Sequence, residues 1–137
     1  MTAPSPQRFA LEAPPDPKYV SAARLFAATV ARQVGVAEEN LDDVKVAIGE
    51  ACARALATAP ERPLSVRAER SDLRLAFEVD QGQASPSSPS DLTSTPTPQE
   101  LAVGLNLELI TALFDDADVV LRSDGTPMLR FSVEAGN

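Results

Sequence analysis

The stretch from Leu64 to Val79 constrains the fold more than any other. Leu64, Val66 and Ala68 alternate with Ser65, Arg67 and Glu69, and Leu73, Leu75, Phe77 and Val79 alternate with Arg74, Ala76 and Glu78. A period of two on both sides of the short link Arg70-Ser71-Asp72 predicts an antiparallel hairpin. Each strand has one apolar and one polar face. Such a sheet needs a cover on one side and tolerates water on the other.

The flanking segments supply that cover. Tyr19, Ala23, Phe26, Val30 and Val34 recur at steps of three and four, which predicts an amphipathic helix from about Lys18 to Val34, stopped by Gly35. Leu41, Val44, Ile48, Ala51, Cys52 and Ala55 form the stripe of a second helix, from about Leu41 to Ala59, with Asn40 as its cap. Pro60 and Pro63 end it. Upstream, Phe9, Leu11 and Ala13 alternate with polar or small residues as a short strand, closed by Pro14, Pro15 and Pro17.

Gln83 to Pro98 is rich in Ser, Thr and Pro and reads as a lid loop. A third helix is expected from about Gln99 to Phe114. Two last strands, Val119–Arg122 and Met128–Val133, flank a turn at Asp124-Gly125. This order predicts an α+β two-layer sandwich: a mixed, mostly antiparallel sheet with helices on one face. The length of 137 residues fits a single domain, 1–137, with residues 1–7 as a flexible N-terminus and 83–98 as the lid.

Composition removes whole classes of chemistry. There is no histidine, which excludes histidine triads, histidine general bases and histidine metal sites. The lone Cys52 rules out a cysteine metal cage and an internal disulfide, and falls on the apolar stripe as a core residue. A net charge of −8 argues against direct nucleic-acid binding and is compatible with a basic protein partner. No apolar run is long enough to span a bilayer, and the N-terminus lacks the succession of a secretion signal, so a cytoplasmic location is expected. Asp115, Asp116 and Asp118 read as a solvated turn.

The candidate functional residues sit at element ends. Asp80 and Gly82 close the second strand of the hairpin. Gly104 precedes the third helix in Gly104-Leu105-Asn106-Leu107-Glu108-Leu109-Ile110. Glu50 and Arg54 stand one turn apart on the second helix. By spacing alone that pair reads as a surface ion pair; two further roles, Glu50 as a general base and the Arg54 guanidinium in a metal ion's place by pairing with Glu50 or gripping phosphate, are implied only by the family resemblance given next.

In order and motif, the chain from about Phe9 to Val133 resembles the anti-sigma-factor serine/threonine kinases of the RsbW and SpoIIAB type. These belong to the superfamily of the Hsp90, gyrase and histidine-kinase ATPase domains, with their Bergerat fold. The strongest stretch is Leu41-Asp42-Asp43-Val44-Lys45-Val46-Ala47-Ile48-Gly49-Glu50-Ala51-Cys52. The resemblance implies Glu50 as general base, Asp80 as acceptor for the adenine amino group, Gly82 beside the base and Gly104 at the phosphates. It also implies ATP or ADP and Mg²⁺ as cofactors. Three positions depart from the pattern: Arg54 replaces the Mg²⁺-binding Asn, and Ala84 and Asn106 replace glycines. No metal ligand is assigned on that basis.

The partners implied are a sigma factor and a STAS-domain anti-anti-sigma factor, with a homodimer compatible through the first strand. The leading expectation is an anti-sigma-like regulator with weakened or lost nucleotide binding. The alternatives are an active kinase of the STAS partner and an interaction module that takes neither nucleotide nor sigma factor.

Overall fold

The computed structural model describes residues 7–82 and 107–136. Within them lie β1 (Gln7–Ala13), a 3₁₀ turn (Pro17–Tyr19), α1 (Val20–Gln33), α2 (Glu38–Thr58), β2 (Leu64–Ser71) and β3 (Arg74–Asp80). A helical segment over residues 107–113, here α3, then leads to β4 (Asp118–Leu121) and β5 (Pro127–Glu134). The expected lid, 83–98, lies outside the described residues, as do Ala84, Gly104 and Asn106.

The sheet runs β1-β2-β3-β5-β4, and all four pairings are antiparallel. The α+β class expected from the sequence is therefore correct, without a parallel component among the described strands. Leu64, Val66 and Ala68 of β2, Leu75, Phe77 and Val79 of β3, and Leu129, Phe131 and Val133 of β5 point to one side and are buried. The helices cover that side with Ala23, Ala27, Val30, Leu41, Val44, Ile48, Ala51 and Ile110. Small residues in facing positions let α1 and α2 approach each other and the sheet. Phe131 stacks on Phe77 at 5.3 Å and on Phe114 at 4.5 Å between ring centroids, which joins β3, β5 and the end of α3 in one aromatic cluster. The opposite face carries Arg67, Glu78 and Arg130 side by side in register.

Local chemistry moves three boundaries. Gln7 is not part of a flexible terminus: it pairs with Arg70, since β1 follows β2 along its whole length. Asn40 does not cap α2. The helix starts earlier, after Ala37, and its first turn carries Glu38 and Glu39, whose charges suit the positive helix end. Leu73 leaves the apolar stripe for the hairpin turn, where it is 52% exposed and its carbonyl accepts the Ala135 amide. Asp72 beside it tolerates φ +55.

At the far end, Gly35 takes φ +80 to end α1, and Gly136 lies against it so closely that a Cβ on Gly136 would sit 2.6 Å from the Gly35 carbonyl oxygen. The Gly136 amide donates to Val34 O at 3.0 Å, which pins the end of β5 to the end of α1.

Cys52 lies in this core with no exposed surface, and burial pushes its thiol from 9.0 up to about 12. The folded value lies above the unfolded one. Its contribution to stability is thus intact below pH 9.0 and is lost as the pH climbs towards about 12. Near neutral pH the thiol should resist alkylation in the native protein and react fully in denaturant, as followed by mass spectrometry. Rapid native labelling would mean that α2 does not pack as described.

Candidate functional site

The C-terminal end of β3 abuts the C-terminal end of α2. The turn Ala59–Pro63 leads from α2 into β2, and three contacts run from Thr58 and this turn to the end of β3. The Thr58 hydroxyl donates to Gln81 O at 2.9 Å. Ala59 presses on Gly82: a Cβ built on Gly82 would lie 2.2 Å from the Ala59 Cβ. Arg62 donates to Asp80 Oδ2 twice, through Nη2 at 2.9 Å and Nε at 3.2 Å.

Asp80 is 7% exposed and fully engaged at both oxygens. Its Oδ1 accepts the Gly82 amide at 2.7 Å, and its Oδ2 takes the arginine fork. A buried carboxylate needs such donors, because an unpaired charge in the interior is costly. The fork is held in place by the turn. Pro60 and Pro63 restrict the backbone on either side, and the Arg62 amide donates to Ala59 O at 3.1 Å.

Gln81, 3% exposed, uses every polar group it has. Its side-chain NH₂ donates to Ala51 O at 3.1 Å and Val79 O at 3.2 Å, and its Oε1 accepts Arg54 Nη1 at 2.9 Å. Its main-chain amide donates to Pro127 O at 3.0 Å. Arg54 is thereby drawn down onto the strand end. Its Nε is buried without a hydrogen-bond partner. Burial lowers the pKa of the guanidinium, which nevertheless remains a cation at ordinary pH. Glu50 is half-buried one turn before it on α2, next to Ala51, to which Gln81 is bonded.

Four of the residues singled out in the sequence, Glu50, Arg54, Asp80 and Gly82, therefore gather where α2 meets the end of β3. The fifth, Gly104, lies outside the described residues. Gly82 takes φ +75, a conformation that favours glycine, and the missing side chain leaves room for Ala59. The aspartates near β4 are used locally. Asp116 accepts the backbone amide and the hydroxyl of Ser132, and Asp118 accepts the Val119 amide. Among the described residues no group of acidic or thiol side chains is arranged to hold a metal ion.

With this geometry in view, the comparison with known families is decisive for the fold. Residues 13–133 match the histidine kinase-like ATPase domain. The chain belongs to that family. No curated protein gives a significant sequence match to it. A histidine kinase-like ATPase domain that ties up its strand-end aspartate with its own arginine, and carries an arginine at position 54, is equipped differently from the pattern that the sequence resembles. Arginine has five donors and no lone pair, so Arg54 cannot ligate a cation.

Arg62 and Gln81 were not among the residues picked out from the sequence. The signal was present in the hairpin. Val66 pairs with Val79, so continuing the register sets residue 65 across from Asp80, and a long cation three residues earlier is within reach. Gln81 stands between Asp80 and Gly82, and its residue type alone does not mark it as the amide that binds α2.

Gly82→Ala should destabilise the protein by at least about 1–2 kcal/mol, the cost of a left-handed conformation for a residue with a Cβ, with the clash on Ala59 added. Ala59→Gly in the same chain should recover the clash component alone. Urea denaturation of the two variants and the parent tests this; equal stabilities would rule out the close approach.

Proposed function

We propose that this chain is an anti-sigma-like regulatory protein whose work is binding a partner, with adenine-nucleotide binding weakened or lost. One observation carries the reading: Asp80, the expected base acceptor, has both oxygens occupied by donors of its own chain. Arg54 supports it, because a cation stands where a Mg²⁺ ligand is expected and is engaged with Gln81. With the acceptor filled and the metal ligand replaced, Glu50 has no poised phosphate to act on.

The partners proposed are a sigma factor, held away from RNA polymerase, and a STAS-domain antagonist that releases it. This assignment rests on the sequence resemblance. The acidic chain, at −8, complements the basic surface of a nucleic-acid-binding protein and favours fast encounter.

Calorimetry with ATP and ADP, with and without Mg²⁺, together with affinity capture in the native host, tests the reading. The expected result is no Mg²⁺-dependent binding, no phosphate transfer to a STAS protein, and a sigma factor in the captured complex. Tight Mg²⁺-dependent binding with phosphorylation of the STAS protein would instead make the chain a kinase. Capture of neither partner would leave an interaction module of another kind.

Self-association through β1 is part of the proposal. β1 is an edge strand among the described residues. Two copies laid antiparallel about Ala10 set Arg8 opposite Glu12 and Phe9 opposite Leu11 of the second copy. Opposite charges in such pairs stabilise a sheet, and like charges oppose it. Arg8→Glu should therefore split the dimer, and Arg8→Glu with Glu12→Arg should restore it, as read by analytical ultracentrifugation. A mass unaffected by either change would remove β1 from the interface.

A further inference from the structure

We propose that Arg62 is a built-in ligand of the adenine acceptor: the site at Asp80 is closed by the chain's own guanidinium, and the acceptor behind it is intact. The inference rests on the reading above, in which nucleotide binding is weak or absent, and it names the residue responsible.

The geometry has three parts. First, Asp80 keeps what a base acceptor needs. It is a buried carboxylate at a strand end, with Oδ1 fixed by the Gly82 amide, so Oδ2 has a set direction. Second, the group on Oδ2 is planar and presents two N–H donors, at 2.9 and 3.2 Å. A guanidinium edge and the amino edge of a purine are chemically alike in this respect: flat, with N–H groups in the plane. The two compete for one oxygen.

Third, Arg62 arrives from the turn Ala59–Pro63, whose residues line a surface depression of about 600 Å³. Arg62 forms part of its wall and its side chain is 39% exposed, whereas the Asp80 side chain that it covers is 7% exposed. Removing the guanidinium takes away the group that covers Oδ2 and changes no residue of β3.

The closure is preorganised. The hydroxyl of Thr58 on Gln81, the methyl of Ala59 on Gly82 and the fork of Arg62 on Asp80 hold the turn against the strand end together. An external amino-purine must displace a tethered charge-assisted pair, and tethering gives the internal ligand the advantage of high effective concentration.

The experiment compares the wild-type chain with Arg62→Ala, Arg62→Lys and Arg62→Ala combined with Asp80→Asn. Adenosine and its dimethylamino analogue, which has no N–H on that group, are titrated by calorimetry, with folding checked by circular dichroism. Arg62→Ala should bind adenosine at least about tenfold more tightly than the wild type, the order expected for one charge-assisted hydrogen bond. Arg62→Lys, which keeps the charge and loses the fork, should fall between them. The dimethylamino analogue should gain nothing, and Asp80→Asn should erase the gain.

Folded Arg62→Ala and Arg62→Lys chains that bind adenosine no better than the wild type would overturn the proposal. An equal gain for the dimethylamino analogue would overturn it too. If Arg62→Ala does not fold, Arg62→Lys decides alone. These failures leave the loss of nucleotide binding standing, whereas tight Mg²⁺-dependent ATP binding by the wild type would defeat that reading itself.

Discussion

Gln81 is the join on which the two layers depend where α2 meets the end of β3. One buried amide holds α2 at Ala51, the strand at Val79 and the cation of Arg54, while its own main chain is fixed by Thr58 and Pro127. A side chain with all its donors and acceptors used inside a low-dielectric interior has one geometry available. Apolar packing between helix and sheet sets the distance between the layers and tolerates sliding. The amide network fixes where along α2 the end of β3 stops. Glu50, Arg54, Asp80 and Gly82 share one neighbourhood because that register is fixed.

The chain spends its polar groups on itself here. A carboxylate beside a glycine, at the mouth formed by a helix and a strand end, is a natural place for a small flat ligand. In this protein an arginine and a methyl group from the turn Ala59–Pro63, with a hydroxyl from the last residue of α2, lie against it. Each contact is modest, yet together they hold the turn against the strand end. The core, built on Phe77, Phe131, Leu41 and Ile48, does not depend on these contacts. The chain's family membership and its chemistry are separate questions.

The periodic signals were legible in the sequence because they report burial directly. Leu75, Phe77 and Val79 alternate, and their alternation is the core face of β3. The stripe from Leu41 to Ala55 is the buried side of α2. Signals failed where a residue's role depends on something remote in sequence. Leu73 continues the alternation by type, but the two-residue turn takes it out of the strand. Asn40 is a good cap by type, but Glu38 and Glu39 make an earlier start favourable. Arg62 becomes legible as a site residue only through the hairpin register, because its partner is 18 positions away. A motif identifies what a ligand would touch; it does not show that the chain has already touched it.

β5 is the last strand in sequence and lies inside the sheet, between β3 and β4. Until Pro127–Glu134 has left the ribosome, β3 presents an unpaired edge, and Phe77 lacks its partner Phe131. The hairpin of β2 and β3 can form early, since its contacts are local, but it must wait with a hydrophobic face and a bare row of amides exposed. For this domain the vulnerable interval runs from the emergence of β3 to that of β5, the strand that pairs with it.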